Sequence, residues 1–467
     1  MRGTCAGFHI ILDCLQSDGM GSGKHLLVFI HGLWGNYKHM NSLNTVFEKT
    51  LANHPELVYY APRQNAMFKT FDGIEIVGYR TLTEICQFIT GYKEGPITKI
   101  SIVGYSMGGL IARFVIGKMY SEFDKIFGDI EPQIFMTLAT PHLGVEFYNP
   151  ENSKSRRILH SLIRSLGSSI LGKSGREMFI TNSKNDILLK LTEDQFLKSL
   201  SRFKWRVVIA NVKNDRTVAF YTSYITDYDP FILTKNNLKY TFEDKIPGSN
   251  YSKVMPKIID MNRLDPKQKR PKVPRRDFSR WLKIVPLIFL FVTFILPIMF
   301  CLNIMATLYS DVATWKYRRL MKGGQLPLLI HNKLGLDDTL KEYAADVYGS
   351  ILNDDEGNNN DEDESSNEEQ AEVGEEHAFW KDFIEKYSKV WTGAKQFPKL
   401  PFDQRRKTML ANLNKLSWIR VPIYIKSANA HGGIVARRGL NEDAPQTSVA
   451  CLEFTAQLVQ YLLGHCN

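Results

Sequence analysis

Gly104-Tyr105-Ser106-Met107-Gly108-Gly109 sets a serine between two glycines in the pattern G-x-S-x-G. A serine hydroxyl is a weak nucleophile. It attacks an ester carbonyl only when a base takes its proton and a carboxylate orients that base. The pattern serves this chemistry where a short buried strand runs into a helix, because the serine then sits on a sharp, strained turn with its oxygen presented outward. Here an apolar run ends at Val103, and a helical apolar period starts at Ser106 and continues through Ile111, Val115 and Met119. The flanking glycines leave room where side chains on so tight a turn would collide.

The partners of such a serine follow in the order acid, then histidine, each just past a strand end. Arg206–Ala210 reads as one such strand, with Asn211-Val212-Lys213-Asn214-Asp215 after it. Val421–Lys426 reads as the last, followed by Ser427 to His431-Gly432-Gly433. Asp215 is therefore the expected acid and His431 the expected base. The oxyanion of an acyl-transfer intermediate needs two N–H donors. One is expected from Met107, directly after the nucleophile, and the other from Leu33, in His31-Gly32-Leu33-Trp34-Gly35 after the first strand. Asp186 and Asp227 are the alternative acids. His142, in Thr140-Pro141-His142-Leu143-Gly144, is an alternative base that breaks the chain order; otherwise it shapes the cleft. The chemistry implies neither a metal nor a cofactor.

Six segments can position these residues: Leu26–Ile30, Leu57–Tyr60, Lys99–Val103, Gln133–Ala139, Arg206–Ala210 and Val421–Lys426. Short, largely apolar runs are the profile of strands buried on both faces. A closing amphipathic helix is expected over Val449–Leu463. Strands alternating with helices imply a mostly parallel sheet covered on both sides, and with the elbow motif they imply an α/β-hydrolase fold. The core is expected over residues 20–235, with a cap at 145–201, and is completed by residues 377–467. Residues 1–19 carry little pattern, and Met20 stands just before the first strand, so 1–19 reads as an extension ahead of the native start.

Between the last two strands lie some two hundred residues that the sheet does not need. They divide into a basic linker (236–283), an apolar segment (284–310), a helical stretch (311–353) and an acidic tract (354–376). The tract holds twelve acids and no base and is expected to be disordered. Without it the net charge of +10 becomes about +22, a bias suited to phosphate-bearing surfaces. Ile284–Ser310 has no charged residue in 27 positions, yet Ser106 and Asp215 precede it and His431 follows it. A single crossing would put the base across the membrane from its nucleophile. Pro297 divides the segment into two arms that each reach roughly 20 Å, enough for one leaflet of a ~30 Å hydrocarbon core. Both flanks are basic, Lys267 to Lys283 before and Lys316, Arg318 and Arg319 after. A re-entrant hairpin is expected, with both ends in the cytosol and a buried soluble helix pair as its alternative. The partner expected from sign and segment together is an anionic membrane or droplet surface, not nucleic acid. The six scattered cysteines read as reduced thiols.

Two further patterns are weaker than the elbow motif. Gly19-Met20-Gly21-Ser22-Gly23-Lys24 lacks the full spacing of a phosphate loop and is followed by His25 where Ser or Thr would hold magnesium. His377 and Asp382 pair as in glycerolipid acyltransferases, but they border the acidic tract.

His31–Asn36, Pro62–Arg80, Gly104–Gly109, Ala139–Gly144, Asn214–Arg216 and Ala430–Gly432 together resemble the serine lipase (serine esterase) family of fungi and plants. That resemblance implies deacylation of glycerophospholipids at the surface of a lipid droplet, facing the cytosol; the endoplasmic reticulum membrane is a second expected location. A neutral-glyceride lipase with the same triad, a catalytically silent lipid-surface scaffold and an acyltransferase dependent on His377 stand as alternatives.

Overall fold

The computed structural model describes residues 23–123, 127–148, 168, 171–181, 186–234, 238–266 apart from 245 and 248–251, and 369–465 apart from 390, 392–395, 398 and 442–443, with isolated positions between 286 and 319. Among the described residues eight strands are formed: β1 (Lys24–Ile30), β2 (Leu57–Tyr60), β3 (Ile97–Tyr105), β4 (Glu131–Leu138), β5 (Trp205–Asn211), β6 (Leu238–Lys239), β7 (Asp265–Pro266) and β8 (Ile419–Ile423). Six make one sheet in the order β2-β1-β3-β4-β5-β8, with every neighbouring pair parallel. β6 and β7 pair separately and antiparallel.

Side chains alternate across a strand, so each strand feeds two cores. Leu26, Val28 and Ile30 point to one face, where α2 (Ile74–Gly91), α3 (Met107–Glu122), α4 (Asp194–Ser201) and α6 (Gln404–Leu413) cover the sheet. Leu27 and Phe29 point to the other, under α1 (Asn41–Thr50), α5 (Glu369–Ser388) and α7 (Gln446–Gly464). This is the α/β-hydrolase architecture. The strand order reverses at β1 and β3: β2 lies outside β1, and β4, β5 and β8 lie beyond β3. At such a switch point the loops beyond the carboxyl ends of the strands open a crevice.

The expected boundaries differ from the structure in three places. Part of 145–201, expected as a cap, belongs to the core: α4 lies on α3 with Phe196 against Gly117, whose added Cβ would come within 2.1 Å of that ring. Its Phe196 and Leu200 are apolar enough to require burial. The described part of the linker 236–283 is packed, because Ile246, Ile258, Ile259, Met261 and Leu264 are buried, and Ile259 N–H donates to Pro422 O of β8 (2.9 Å). The last residues of the tract 354–376 are helical, since α5 starts at Glu369. Its core contacts come from Trp380, Phe383 and Tyr387, and the acids before them favour a helix N-terminus. Residues 1–19, most of the 284–310 segment, most of 311–353, and 354–368 lie outside the described residues. Among the described residues no helix is long and apolar enough to cross a membrane.

Replacing Phe196 by Ala is expected to cost about 3–5 kcal/mol in a urea unfolding curve, as for a core aromatic. A loss below about 0.5 kcal/mol, the range for surface positions, would return α4 to the cap.

Candidate active site

β3 delivers its chain into a strained turn. Ser106 has φ 55° and ψ −128°, outside the regions an ordinary side chain prefers, and α3 begins at the next residue. The peptides on either side are pinned: Ser106 N–H donates to Leu138 O (2.8 Å), and Thr140 Oγ1 donates to Ser106 O (2.8 Å). The glycine after the elbow is dictated by contact, because a Cβ at Gly108 would lie 2.1 Å from the Ile30 carbonyl oxygen. The β1–β3 register pairs Ile30 with Gly104 and so brings the loop after β1 beside the serine. Gly32 lies so close that an added Cβ would sit 2.7 Å from Ser106 Cβ.

The expected base and acid come together with this serine. Ser106 Oγ lies 2.9 Å from His431 Nε2, and His431 Nδ1 lies 2.9 Å from Asp215 Oδ2. Asp215 also accepts from Thr217 N–H (2.9 Å) and Val218 N–H (2.7 Å). Burial alone would raise its carboxyl. The facing His431, with the Val218 and Asn211 hydrogen bonds, outweighs burial and holds it below the ordinary carboxylate value. An ionised Asp215 keeps the imidazole proton on Nδ1, which leaves Nε2 to accept the serine proton. Asn211 joins the two loops: its Nδ2 donates to Asp215 Oδ2 (2.9 Å) and to Ala430 O (3.1 Å). Tyr105 donates its hydroxyl to His431 O (2.9 Å) from the strand that ends at the nucleophile. The sequence reading missed both residues, although a polar Asn211 closing an apolar strand was a usable signal.

The turn after β1 is held from behind. Gly32 O accepts from His31 Nδ1 (3.0 Å) and Gly35 N–H (3.2 Å). Burial pushes the His31 imidazole down to about 4, so it stays neutral, and its carbonyl partner requires the proton on Nδ1. In a planar trans peptide the C=O and N–H point to opposite sides. The fixed Gly32 carbonyl therefore turns the Leu33 N–H the other way. Trp34, at φ 54°, donates its N–H to Thr70 Oγ1 (2.9 Å). Thr70 sits in a loop closed by the buried Asp72–Arg80 ion pair (2.7 Å), and Glu177 braces that loop by accepting from Ile74 N–H (2.7 Å). Met107 is the first residue of α3, a position whose N–H has no partner within the helix.

The alternatives are engaged elsewhere. His142 is wholly buried, so it lines no cleft; its Nε2 meets Thr137 Oγ1 (2.9 Å) and its ring packs on Trp418. Burial holds it well below its ordinary value. Asp186 faces Arg405 (3.5 Å) and Asp227 faces Lys399 (3.0 Å). His377 is exposed on α5, where it meets His465 (3.2 Å). A cavity of about 390 Å³ lined by Met261, Lys386, Tyr387 and Trp391 includes none of Ser106, Asp215 and His431.

Residues 20–226 match the family described as "Putative serine esterase (DUF676)". The match includes Ser106 and Asp215 and stops before His431. The chain is 33% identical over 226 residues to "Putative lipase ROG1" of Saccharomyces cerevisiae, covering 46% of this chain and 31% of that protein. It is 30% identical over 212 residues to "Putative lipase C4A8.10" of Schizosaccharomyces pombe, covering 43% and 26%. Among solved structures it is 18% identical to Bacillus licheniformis lipase BlEst2 in its propeptide form, covering 42% of this chain and 38% of that one with a TM-score of 0.27. The chain thus spans less than a third of the length of these curated relatives.

Asp215→Asn is expected to slow labelling of Ser106 by a fluorophosphonate by about 10⁴, because the amide favours the wrong imidazole tautomer. Labelling within about tenfold of wild type would mean that another group orients His431.

Proposed function

We propose that this chain, whose residues 20–226 match the serine esterase family model, hydrolyses the carboxylic esters of lipids by attack of Ser106. The observation that carries the reading is the hydrogen-bonded chain from Ser106 through His431 to Asp215, both links at 2.9 Å, built on a strained elbow. His431 Nε2 takes the Ser106 proton as Oγ adds to the ester carbonyl. The oxyanion is held by the Leu33 and Met107 N–H groups. Collapse breaks the bond to the alcohol, which leaves with the proton from His431. Water then adds to the acyl-serine, again giving its proton to His431, and the fatty acid departs as Oγ recovers a proton. Asp215 steadies the imidazolium throughout. No step needs a metal or cofactor.

Glycerophospholipid is the substrate we favour, and the cytosolic face of a lipid droplet or of the endoplasmic reticulum membrane is the site of action. The basic body and the apolar segment 284–310 support a lipid surface. Ser106 and His431 share a hydrogen bond although this segment lies between them in the chain, which supports a hairpin that enters one leaflet and returns. The adjoining segments also pack together: Trp391 Nε1 donates to Met261 O (2.9 Å), and Lys386 meets Asp260 (3.0 Å). Of the positions described between 301 and 319, all are helical, and the large apolar ones, Ile304, Met305, Leu308, Val312 and Trp315, are exposed.

Purified protein, wild type and Ser106→Ala, should be assayed on phospholipid and on triacylglycerol emulsions. Phospholipid hydrolysis that falls at least about 10³-fold in the variant is expected. Hydrolysis of triacylglycerol alone would keep the mechanism and overturn the phospholipid assignment. Inactivity of both proteins on both lipids would leave a scaffold.

A further inference from the structure

The loop after His431 carries two adjacent arginines, Arg437 and Arg438, both exposed. They are held differently. Arg437 N–H donates to Gly432 O (3.0 Å), which closes residues 432–437 into a turn. A Cβ at Gly432 would lie 3.9 Å from Arg437 Cβ and Cδ, so the arginine stem runs over the backbone next to the base. Its guanidinium donates to His39 Nε2 (2.9 Å). His39 belongs to the helical turn Tyr37–Met40, directly after the turn that carries Leu33. Gly35 is wedged between the two imidazoles there: an added Cβ would be 2.9 Å from His31 Nδ1 and 3.0 Å from His39 Nδ1. Arg437 thus links the loop of the base to the loop of the expected oxyanion donor, and these two loops flank Ser106.

Arg437 is exposed, and among the described residues it has no ion pair. Its one side-chain partner is an imidazole that stays neutral, because burial and then the arginine charge itself push His39 down to about 3. Among the described residues no carboxylate meets the remaining guanidinium donors, which are exposed on the loop that follows the base. A planar fork of N–H donors matches the oxygens of a phosphate. In a glycerophospholipid the scissile ester and the phosphodiester sit a few bonds apart on one glycerol. A cation on the loops that flank the nucleophile meets both requirements, charge and position.

We propose that Arg437 binds the phosphodiester of the substrate and sets the preference for phospholipid over neutral glyceride. The proposal rests on the reading of Ser106 as an esterase nucleophile. Arg438, one residue on, carries the same charge without the link to His39, and takes no part.

The full chain and its Arg437→Gln, Arg437→Lys and Arg438→Gln variants should be assayed on phosphatidylglycerol and on diacylglycerol in the same detergent micelles, with p-nitrophenyl butyrate as a soluble ester. In Arg437→Gln the phosphatidylglycerol rate is expected to fall at least about tenfold further than the diacylglycerol rate, the scale of a lost charge-assisted hydrogen bond. Arg437→Lys should recover part of the ratio, and Arg438→Gln should keep it within about twofold. Equal losses on the two lipids would make Arg437 a clasp between loops and overturn the proposal. A matching change in Arg438→Gln would reduce it to general surface charge and overturn it as well. Inorganic phosphate that inhibits butyrate hydrolysis through Arg437 while the lipid ratio stays put would mark a free-anion site and would also overturn the proposal. Failure of the wild type on p-nitrophenyl butyrate registers separately, as failure of the esterase reading.

Discussion

Every distance in the site is measured from one strained residue. A side chain held at the φ of Ser106 costs about 1–3 kcal/mol, and such a conformation persists only where its surroundings over-determine it. They do so here. β3 is buried in the middle of the sheet, Leu138 and Thr140 hold the peptides on either side of the serine, and Gly108 has the Ile30 carbonyl pressed against it. The elbow cannot relax without moving β1 or β4. The strain is thus spread into the middle of the sheet, and, among the described residues, the hydroxyl is left to meet only His431.

The rest of the site is a matter of strand register. Ile30 beside Gly104 brings the Leu33 turn to one side of the serine, and Asn211 beside Ile423 brings the loop of the base to the loop of the acid. Asn211 turns that second register into chemistry, since one side-chain amide touches both the carboxylate and the chain that carries the imidazole. A slip of one residue in either pairing would turn each side chain to the opposite face of the sheet. Parallel strands buried on both faces resist such a slip, because Leu27 and Val28 each have a core to fill.

The grouping of Ser106, Asp215 and His431 was legible in the sequence for a common reason: each follows a short apolar strand by a few residues, and the fold brings the three strand ends together. What was not legible depends on tertiary contact. Ile74–Gly91 went unrecognised because its first three turns are buried almost throughout, and its Ile, Val and Thr residues show no polar face by which to recognise a helix. Thr70, Asp72, Arg80 and Glu177 are ordinary polar residues until the fold stacks them behind the Trp34 turn. The packed part of the linker was hidden because its few apolar residues are scattered among lysines, prolines and acids. Arg437 and Arg438 are indistinguishable as letters. Only the contact with His39 separates them.

The position of the base on the last strand also orders events in time. Asp215 and His431 are 216 residues apart, roughly 10–40 s of synthesis. When β5 leaves the ribosome the chain already has its serine and its carboxylate, and the elbow can form, but nothing can take the serine proton. The whole of 267–368, the apolar stretch included, is made before His431 exists. Under the proposed function, a nascent chain would thus carry its lipid-facing stretch before the group that activates Ser106 has been made.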